Sequence, residues 1–149
     1  AGLSELIVFV GSGKLGVPDA ALLAFSLGCD WVNVGREALL AIGCLQTQKC
    51  HTNHCPTGVA TQNAWLVRGL DPTLKAARLA NYILTLRKDI LALSRACGVP
   101  HPSLVSAEHL EMLDDRFGSK SVAEVFGYAP GVGMPSAADA AEVRRLMPH

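Results

Sequence analysis

Three cysteines lie within twelve residues of one polar loop, GCLQTQKCHTNHCPTGVATQ: they are Cys44, Cys50 and Cys55. Thiolates spaced along a loop are typical ligands of iron–sulfur clusters, because the chain wraps around the cluster while backbone N–H groups point at its sulfurs. Pro56 follows the last cysteine, as proline does in the bacterial ferredoxin motif. The spacing therefore favours an iron–sulfur ligand loop.

Two other interpretations of the cysteine loop stay open from the spacing alone. His51 or His54 could complete a Cys3His zinc site, although structural zinc sites usually show ligand pairs separated by two to four residues. The thiols could also be buried and chemically idle. Cluster, zinc and idle cysteines therefore remain as three alternatives.

Two glycine-containing loops form a second candidate site. GSGKLG offers Ser12, Gly13 and Lys14, and VGRE offers Gly35 and Arg36. Free backbone amides between a strand end and a helix start can hold a phosphate, and glycine lets the anion approach closely. An ordinary strand-to-helix turn is the alternative for each loop taken singly. The first loop has no Walker ending, and (βα)8 barrels frequently form a phosphate site from the loops after their last two strands, so we favour FMN in a barrel over ATP or NAD.

Strands and helices must position these loops. The apolar run Leu6 to Val10 predicts a strand buried on both faces, and the segment from Pro18 to Gly28 predicts a helix. Trp31 to Val34 predicts a second strand, which leads through GRE into the helical stretch ALLAIGC. Two consecutive βα units indicate an α/β fold with a parallel sheet or barrel.

The second half of the chain predicts mainly helices. Asp71 and Pro72 begin a long amphipathic helix that Gly98 ends. Its basic face is either solvated or a docking surface for an acidic partner. We expect short helices from Ser106 and Ser121, and a loose tail after Tyr128 that ends in a short helix.

Composition limits the classes of function. Thirteen basic and thirteen acidic residues cancel and are scattered, which argues against a nucleic-acid partner. The sequence shows neither an apolar run of about 20 residues, as a membrane span requires, nor a signal peptide. Five cysteines, an odd number, argue against a disulfide framework. We therefore expect a cytoplasmic protein without a membrane partner.

The segments GREALLAIGC and CxxxxxCHTNHCPTGVATQ closely resemble the FMN-binding domain of glutamate synthases, and SGKL with LGCDWVNVGRE resembles its short, single-domain branch. The resemblance implies three regions. Residues 1–43 would be the last two βα units of a (β/α)8 TIM barrel, residues 44–62 the iron–sulfur loop, and residues 63–149 a helical C-terminal extension.

The same resemblance implies the ligands. Cys44, Cys50 and Cys55 would each bind one iron of a [3Fe–4S] cluster, while His51 and His54 would shape the loop. The FMN phosphate would be held by residues of the two glycine loops, namely Ser12, Gly13, Lys14, Gly35 and Arg36. Cys29 and Cys97 match no ligand position, and we expect them to pack in the core.

In the family, a ferredoxin or reductase subunit supplies electrons through the cluster to FMN, which reduces the imine of 2-oxoglutarate and ammonia to L-glutamate. A glutaminase subunit or domain is an implied partner. Since a barrel needs about 250 residues, we expect this chain to be an incomplete piece, inactive alone and continued upstream. The alternatives are an N-methylglutamate synthase-type subunit and a non-catalytic zinc-binding interaction module. No catalytic residue is assigned.

Overall fold

The computed structural model describes residues 6–116 and 118–147. Its strands and helices follow one another in the order β1 Val10–Ser12, α1 Pro18–Ser26, β2 Trp31–Asn33, α2 Arg36–Ala41, α3 Pro72–Ala96, β3 Glu111–Leu113, β4 Ser119–Ser121, α4 Val122–Phe126 and α5 Ala137–Leu146. Short 3-10 turns occur at Cys50–Thr52, Leu66–Gly69 and Pro102–Leu104. The architecture is α/β, as the sequence predicts.

Strands β1 and β2 pair in parallel, so the two predicted βα units are present. The predicted strand at Leu6 to Val10 is shifted, because regular pairing begins only at Val10. Its predicted burial is wrong, because Leu6 is 80% and Val8 66% exposed. The physical reason is that β1 has a single strand neighbour among the described residues, so no second strand pairs with its other edge there.

The helix boundaries follow the predicted signals. Helix α1 begins at Pro18, whose fixed φ suits a first turn. Asp71 caps α3 by accepting the backbone N–H groups of Thr73 and Leu74. Gly98, just beyond the end of α3, adopts a φ of +80°, a conformation that favours glycine.

The core lies where α1 and α3 pack together with the segment around residue 105. Its buried members are Ala21, Leu22, Leu86, Ile90 and Val105. Cys97 packs against this core, as predicted. Cys29 is half-buried, with its Sγ 3.0 Å from the point that a Cβ on Gly11 would occupy. Both cysteines therefore serve packing.

The C-terminal region is less helical than predicted. The helix expected from Ser106 is wrong, because residues beyond it form the antiparallel pair β3–β4. Asp114 Oδ1 accepts the N–H groups of Arg116 and Gly118 at 2.8 Å each, and this favours a turn over continued helix. Helix α4 is present where predicted, with Ser121 as its N-cap, and α5 is the terminal helix.

Among the described residues, no helix combines the length and the hydrophobicity that crossing a bilayer requires.

Candidate functional site

The cysteine loop leaves the end of α2 and runs to the start of the 3-10 turn at Leu66. Cys44 is half-buried, Cys50 is exposed, and Cys55 is buried with 6% of its surface exposed. The three thiols therefore line a loop that is closed toward the protein at Cys55 and open to solvent at Cys50.

Asn53 holds the two halves of this loop together. Its Oδ1 accepts the backbone N–H of Gln62 at 2.6 Å. The Thr61 hydroxyl lies 2.9 Å from the same Oδ1 and 2.7 Å from the Asn53 carbonyl oxygen. Residues 53 and 62 flank Cys55, so these bonds fix the chain around its thiol. The loop shape is thus set mainly by its own polar side chains.

Backbone strain is concentrated at the two candidate loops. Among the described residues, four that are not glycine have a positive φ. Gln46, Gln48 and Asn53 lie in the cysteine loop, and Lys14 lies in the first glycine loop. Such conformations cost about 1 kcal/mol or more and cluster at functional sites. Both loops therefore carry a structural sign of function that the sequence motifs alone do not give.

The sulfur of Cys55 lies among hydrogen-bonding groups. The Thr57 hydroxyl lies 3.5 Å from Cys55 Sγ. This contact, followed by backbone N–H groups of Ala60, Thr57 and Val59, lowers the pKa of the Cys55 thiol to about 7, although burial opposes the shift. Cys44 Sγ accepts the Gln46 N–H at 3.3 Å. Two of the three loop sulfurs therefore take part in hydrogen bonds, and those at Cys55 favour its thiolate.

The described residues do not bring these thiols onto one metal ion. Within residues 6–116 and 118–147, no group of three or more His, Cys, Asp or Glu side chains is placed to hold a single ion. His51 and His54 are both exposed. The His54 backbone N–H donates to Thr52 Oγ1 at 3.3 Å, which places this residue in the hydrogen bonding of the loop. A Cys3His zinc site is therefore not formed in this structure.

Both glycine loops begin at the C-terminal end of the β1–β2 sheet. Ser12 ends β1 and is paired with Asn33, which ends β2. The side chains of the remaining predicted residues, Lys14 and Arg36, are exposed on the segments that follow. Since parallel strands lie about 4.8 Å apart, Ser12 and Asn33 are neighbours, and both loops start from the same end of the sheet.

Both predicted phosphate loops leave open space at their glycines. Gly13 has a φ of +111°, and no heavy atom lies within 4 Å of a Cβ built on Gly13 or on Gly35. Neither α1 nor α2 receives a side-chain hydrogen bond at its N-cap. First-turn amides therefore remain available to an external acceptor.

Gly16 anchors the first glycine loop to the helices beneath it. The Tyr82 hydroxyl donates to the Gly16 carbonyl at 2.7 Å. A Cβ on Gly16 would lie only 2.5 Å from carbons of Glu37 and 2.6 Å from Tyr82 Oη. Burial, together with the nearby Glu37 carboxylate, raises the pKa of Tyr82. These contacts therefore hold the first glycine loop, α2 and α3 together at Gly16.

Three supporting residues were not predicted from the sequence. Asn53 had a readable signal, because asparagine tolerates the left-handed conformation and bonds nearby backbone. Thr57, two residues beyond Cys55, gave no signal of its contact with the sulfur. Tyr82 lies 66 residues from its acceptor Gly16, and no local pattern reveals such a bond.

Comparison with known proteins finds similarity to glutamate synthases. A family model described as a conserved region in glutamate synthase matches residues 1–100. The glutamate synthase large subunit-like protein YerD of Bacillus subtilis is 38% identical over 109 residues, 73% of this chain and 21% of YerD. The archaeal glutamate synthase [NADPH] of Methanocaldococcus jannaschii is 37% identical over 98 residues, 66% of this chain and 19% of that protein.

A plant relative is similar over a longer stretch of the chain, at a lower identity. The chloroplastic ferredoxin-dependent glutamate synthase of Oryza sativa subsp. japonica is 31% identical over 121 residues, which is 81% of this chain and 7% of the rice protein. The chain thus spans about a fifth of the length of the two prokaryotic relatives. No solved structure matches it.

Proposed function

Because this chain belongs to the glutamate synthase family, we propose that it is the part of a glutamate synthase-like oxidoreductase that binds an iron–sulfur cluster and the phosphate of FMN. The observation that carries the proposal is the cysteine loop. Its three thiols are presented by a hydrogen-bonded loop, and two of their sulfurs already take part in hydrogen bonds.

The donor set of this loop fits a [3Fe–4S] cluster. In such a cluster each thiolate binds a different iron, so the ligands need not converge on one point as they would around zinc. Cys44, Cys50 and Cys55 would be these ligands. The lowered pKa of Cys55 and the N–H groups around its sulfur favour the thiolate that ligation requires.

The glycine loops fit a phosphate group. Ser12 would offer a hydroxyl, Lys14 and Arg36 positive charge, and the open faces of Gly13 and Gly35 a close approach to backbone amides. This pairing of loops at adjacent strand ends is the arrangement from which (βα)8 barrels build phosphate sites. It supports assignment of these five residues to the FMN phosphate.

We further propose that β1, α1, β2 and α2 are the last two units of a (β/α)8 barrel. The parallel register of β1 and β2 supports this assignment. So does the apolar surface around the two strands, since Val10 and Trp31 are 61% and 68% exposed. Such side chains suit burial against neighbouring strands.

The proposed overall reaction is reductive: 2-oxoglutarate, ammonia, two electrons and two protons give L-glutamate and water. When bound, FMN would supply hydride chemistry and the cluster one-electron transfer. The residues of this chain would contribute binding, orientation and a positive environment for phosphate. Substrate binding and a glutaminase partner would involve other parts of the full-length protein.

An iron and sulfide assay tests the proposal. The full-length protein that contains this chain should be reconstituted anaerobically and measured for iron, acid-labile sulfide, zinc and visible absorption. We expect about three irons per chain in the cysteine loop, with the colour of an iron–sulfur protein. Colourless protein with one zinc per chain would refute the cluster and favour a zinc-binding interaction module.

A further inference from the structure

Thr57 lies two residues beyond Cys55 and contacts its sulfur. The Thr57 hydroxyl oxygen is 3.5 Å from Cys55 Sγ, and Cys55 is buried while Thr57 is half-buried. In a free thiol either group could donate. A cysteine that binds iron has lost its thiol proton, so the hydroxyl is then the only donor of the pair. Ligation by Cys55 would therefore leave one hydrogen bond, from Thr57 to the ligand sulfur.

A tight turn holds Thr57 in this position. The Gly58 N–H donates to the Cys55 carbonyl oxygen at 3.3 Å, which closes a β-turn over residues 55–58. Pro56 occupies the second position of this turn, where its fixed φ is favoured. Thr57 is β-branched, so its side chain has few rotamers available. Backbone and side chain therefore both limit where the hydroxyl can lie.

The segment that follows the cysteine loop supports the turn from outside. Gly58 has a φ of +78°, and a Cβ on it would lie 2.6 Å from the Leu66 carbonyl oxygen. A Cβ on Gly69 would lie 3.0 Å from the Thr57 carbonyl oxygen. Both close approaches favour glycine, because a side chain there would meet backbone atoms. The turn that carries Thr57 is therefore packed against residues 66–70.

The three proposed ligands have different surroundings. Cys44 Sγ accepts a backbone N–H, that of Gln46, at 3.3 Å. Cys50 is exposed, so water can solvate its sulfur. Cys55 is buried, and a hydrogen bond is electrostatically stronger there than in water. The Thr57 hydroxyl is therefore a side-chain donor, removable by substitution, at the most buried of the three sulfurs.

We propose that Thr57 is a positioning residue for electron transfer: it raises the reduction potential of the iron–sulfur cluster through its hydrogen bond to Cys55. The inference rests on the proposed function and adds a residue that controls its electron-transfer step. Reduction adds one electron to the cluster, and the added negative charge is shared by the ligand sulfurs. A hydroxyl hydrogen directed at one of these sulfurs stabilises the reduced state more than the oxidised state. The reduced cluster would therefore form more readily with Thr57 than without it.

Potentiometric titration of the reconstituted full-length protein tests this role. Dithionite supplies the electron. A [3Fe–4S] cluster with three ferric ions has an odd number of electrons, so its electron paramagnetic resonance signal reports the fraction that remains oxidised. Thr57→Val removes the hydroxyl at nearly constant side-chain size. We expect the equilibrium constant for one-electron reduction to fall about tenfold, which lowers the potential by about 59 mV.

Thr57→Ser and Thr52→Val are the matched variants. Serine keeps the hydroxyl, so the potential should stay close to the wild-type value. Thr52 lies in the same loop, but its hydroxyl donates to the Lys49 carbonyl oxygen at 2.8 Å instead of to a sulfur. Thr52→Val makes the same chemical change and should leave the potential unaltered. Thr57→Ala also lacks the hydroxyl and should lower the potential as Thr57→Val does, which provides a second measurement if valine packs badly.

Failure of this role is distinguishable from failure of the proposed function, because iron and sulfide content show first whether a cluster is present. If all variants hold the cluster and those without the Thr57 hydroxyl keep the wild-type potential, the role of Thr57 is refuted and the proposed function stands. An equal fall in Thr52→Val would also refute it, since any disturbance of the loop would then suffice. Loss of the cluster from both Thr57→Val and Thr57→Ala would refute it as well, because Thr57 would then serve cluster retention. If the wild-type protein binds zinc and no cluster, both proposals fail.

Discussion

The cysteine loop and the first glycine loop are held in place by different means. The cysteine loop is closed by its own polar residues, with Asn53 bonded to Thr61 and Gln62. The glycine loop is held from outside, by Tyr82 of α3 and by close packing of Gly16 on Glu37. Local bonds make the cysteine loop largely self-contained, whereas the phosphate loop depends on the fold around it. The two proposed cofactor sites should therefore respond to different mutations.

The largest expected effect is loss of the cluster. Cys55→Ser replaces a proposed thiolate ligand whose sulfur lies 3.5 Å from the Thr57 hydroxyl. We expect severe loss of bound iron and sulfide, with FMN binding largely retained because the glycine loops lie elsewhere. Metal analysis and flavin fluorescence on the same sample measure both.

Cys97→Ser is the matched control for that substitution. Cys97 packs against the hydrophobic core and not in the loop. Its replacement should lower stability by about 1 kcal/mol and leave the iron content unchanged. Equal iron loss in both variants would mean that the three loop cysteines are not the specific ligands.

The second-largest expected effect concerns the first glycine loop, which contacts with α2 and α3 hold in place. Gly16→Ala places a methyl group within 2.6 Å of Glu37 and Tyr82 atoms, so α2 or α3 must shift. We expect destabilisation of up to about 3 kcal/mol, which is typical of overpacking, together with weaker FMN binding. Urea unfolding and flavin titration provide the two measurements.

Gly35→Ala distinguishes packing from phosphate binding. A Cβ at Gly35 meets no heavy atom within 4 Å, so stability should be nearly unchanged. FMN affinity should fall nonetheless, because the methyl group occupies the proposed approach of the phosphate. Unchanged FMN affinity in Gly35→Ala would remove this residue from the proposed site.

Sequence patterns predicted the elements well where the signal is local. Pro18, Asp71 and Gly98 marked helix ends that the structure confirms. The cysteine spacing identified the loop for the same reason, since its shape is set within about twenty residues. One local signal was also missed: the helix predicted from Ser106 gave way to the hairpin closed by Asp114, whose side chain accepts the N–H groups of Arg116 and Gly118.

In the candidate sites, local features were predictable from the sequence and long-range contacts were not. The glycine loops were recognisable by composition, but their attachment through Tyr82 joins residues 66 positions apart. The packing beside Cys55 also required the structure, because sequence alone does not show that Gly58 and Gly69 bring residues 66–70 close to the residues that follow Cys55. Long-range contact, more than residue type, limited the sequence prediction.

The third effect tests whether the cysteine loop is self-contained. Asn53→Ala removes the acceptor of Gln62 and leaves alanine in a left-handed conformation at φ +62°. Two weakened hydrogen bonds and this strain should cost about 1–2 kcal/mol. Iron should dissociate faster, while FMN affinity should not change. The rate of iron release to a chelator measures the first effect.

Asn53→Asp is the conservative partner of that variant. Aspartate keeps the side-chain oxygen and tolerates positive φ, so iron release should stay close to the wild-type rate. If Asn53→Ala weakened FMN binding as much as cluster retention, the two loops would not be independent.

The smallest expected effect is a change in stability at alkaline pH, and it concerns the first glycine loop alone. The pKa of Tyr82 is raised, first by burial and then by Glu37, so the folded state favours the neutral phenol. This contribution to stability is complete below pH 10, the ordinary pKa, and is lost as the pH rises through the higher folded-state value. Tyr82→Phe should remove this part of the loss of stability at alkaline pH. Thermal midpoints measured between about pH 9 and about pH 11 would show the difference. The iron content should be insensitive to this substitution, because the hydroxyl binds Gly16 of the externally held loop and no residue of the cysteine loop. A decline of equal slope in both proteins would mean that Tyr82 does not carry the effect.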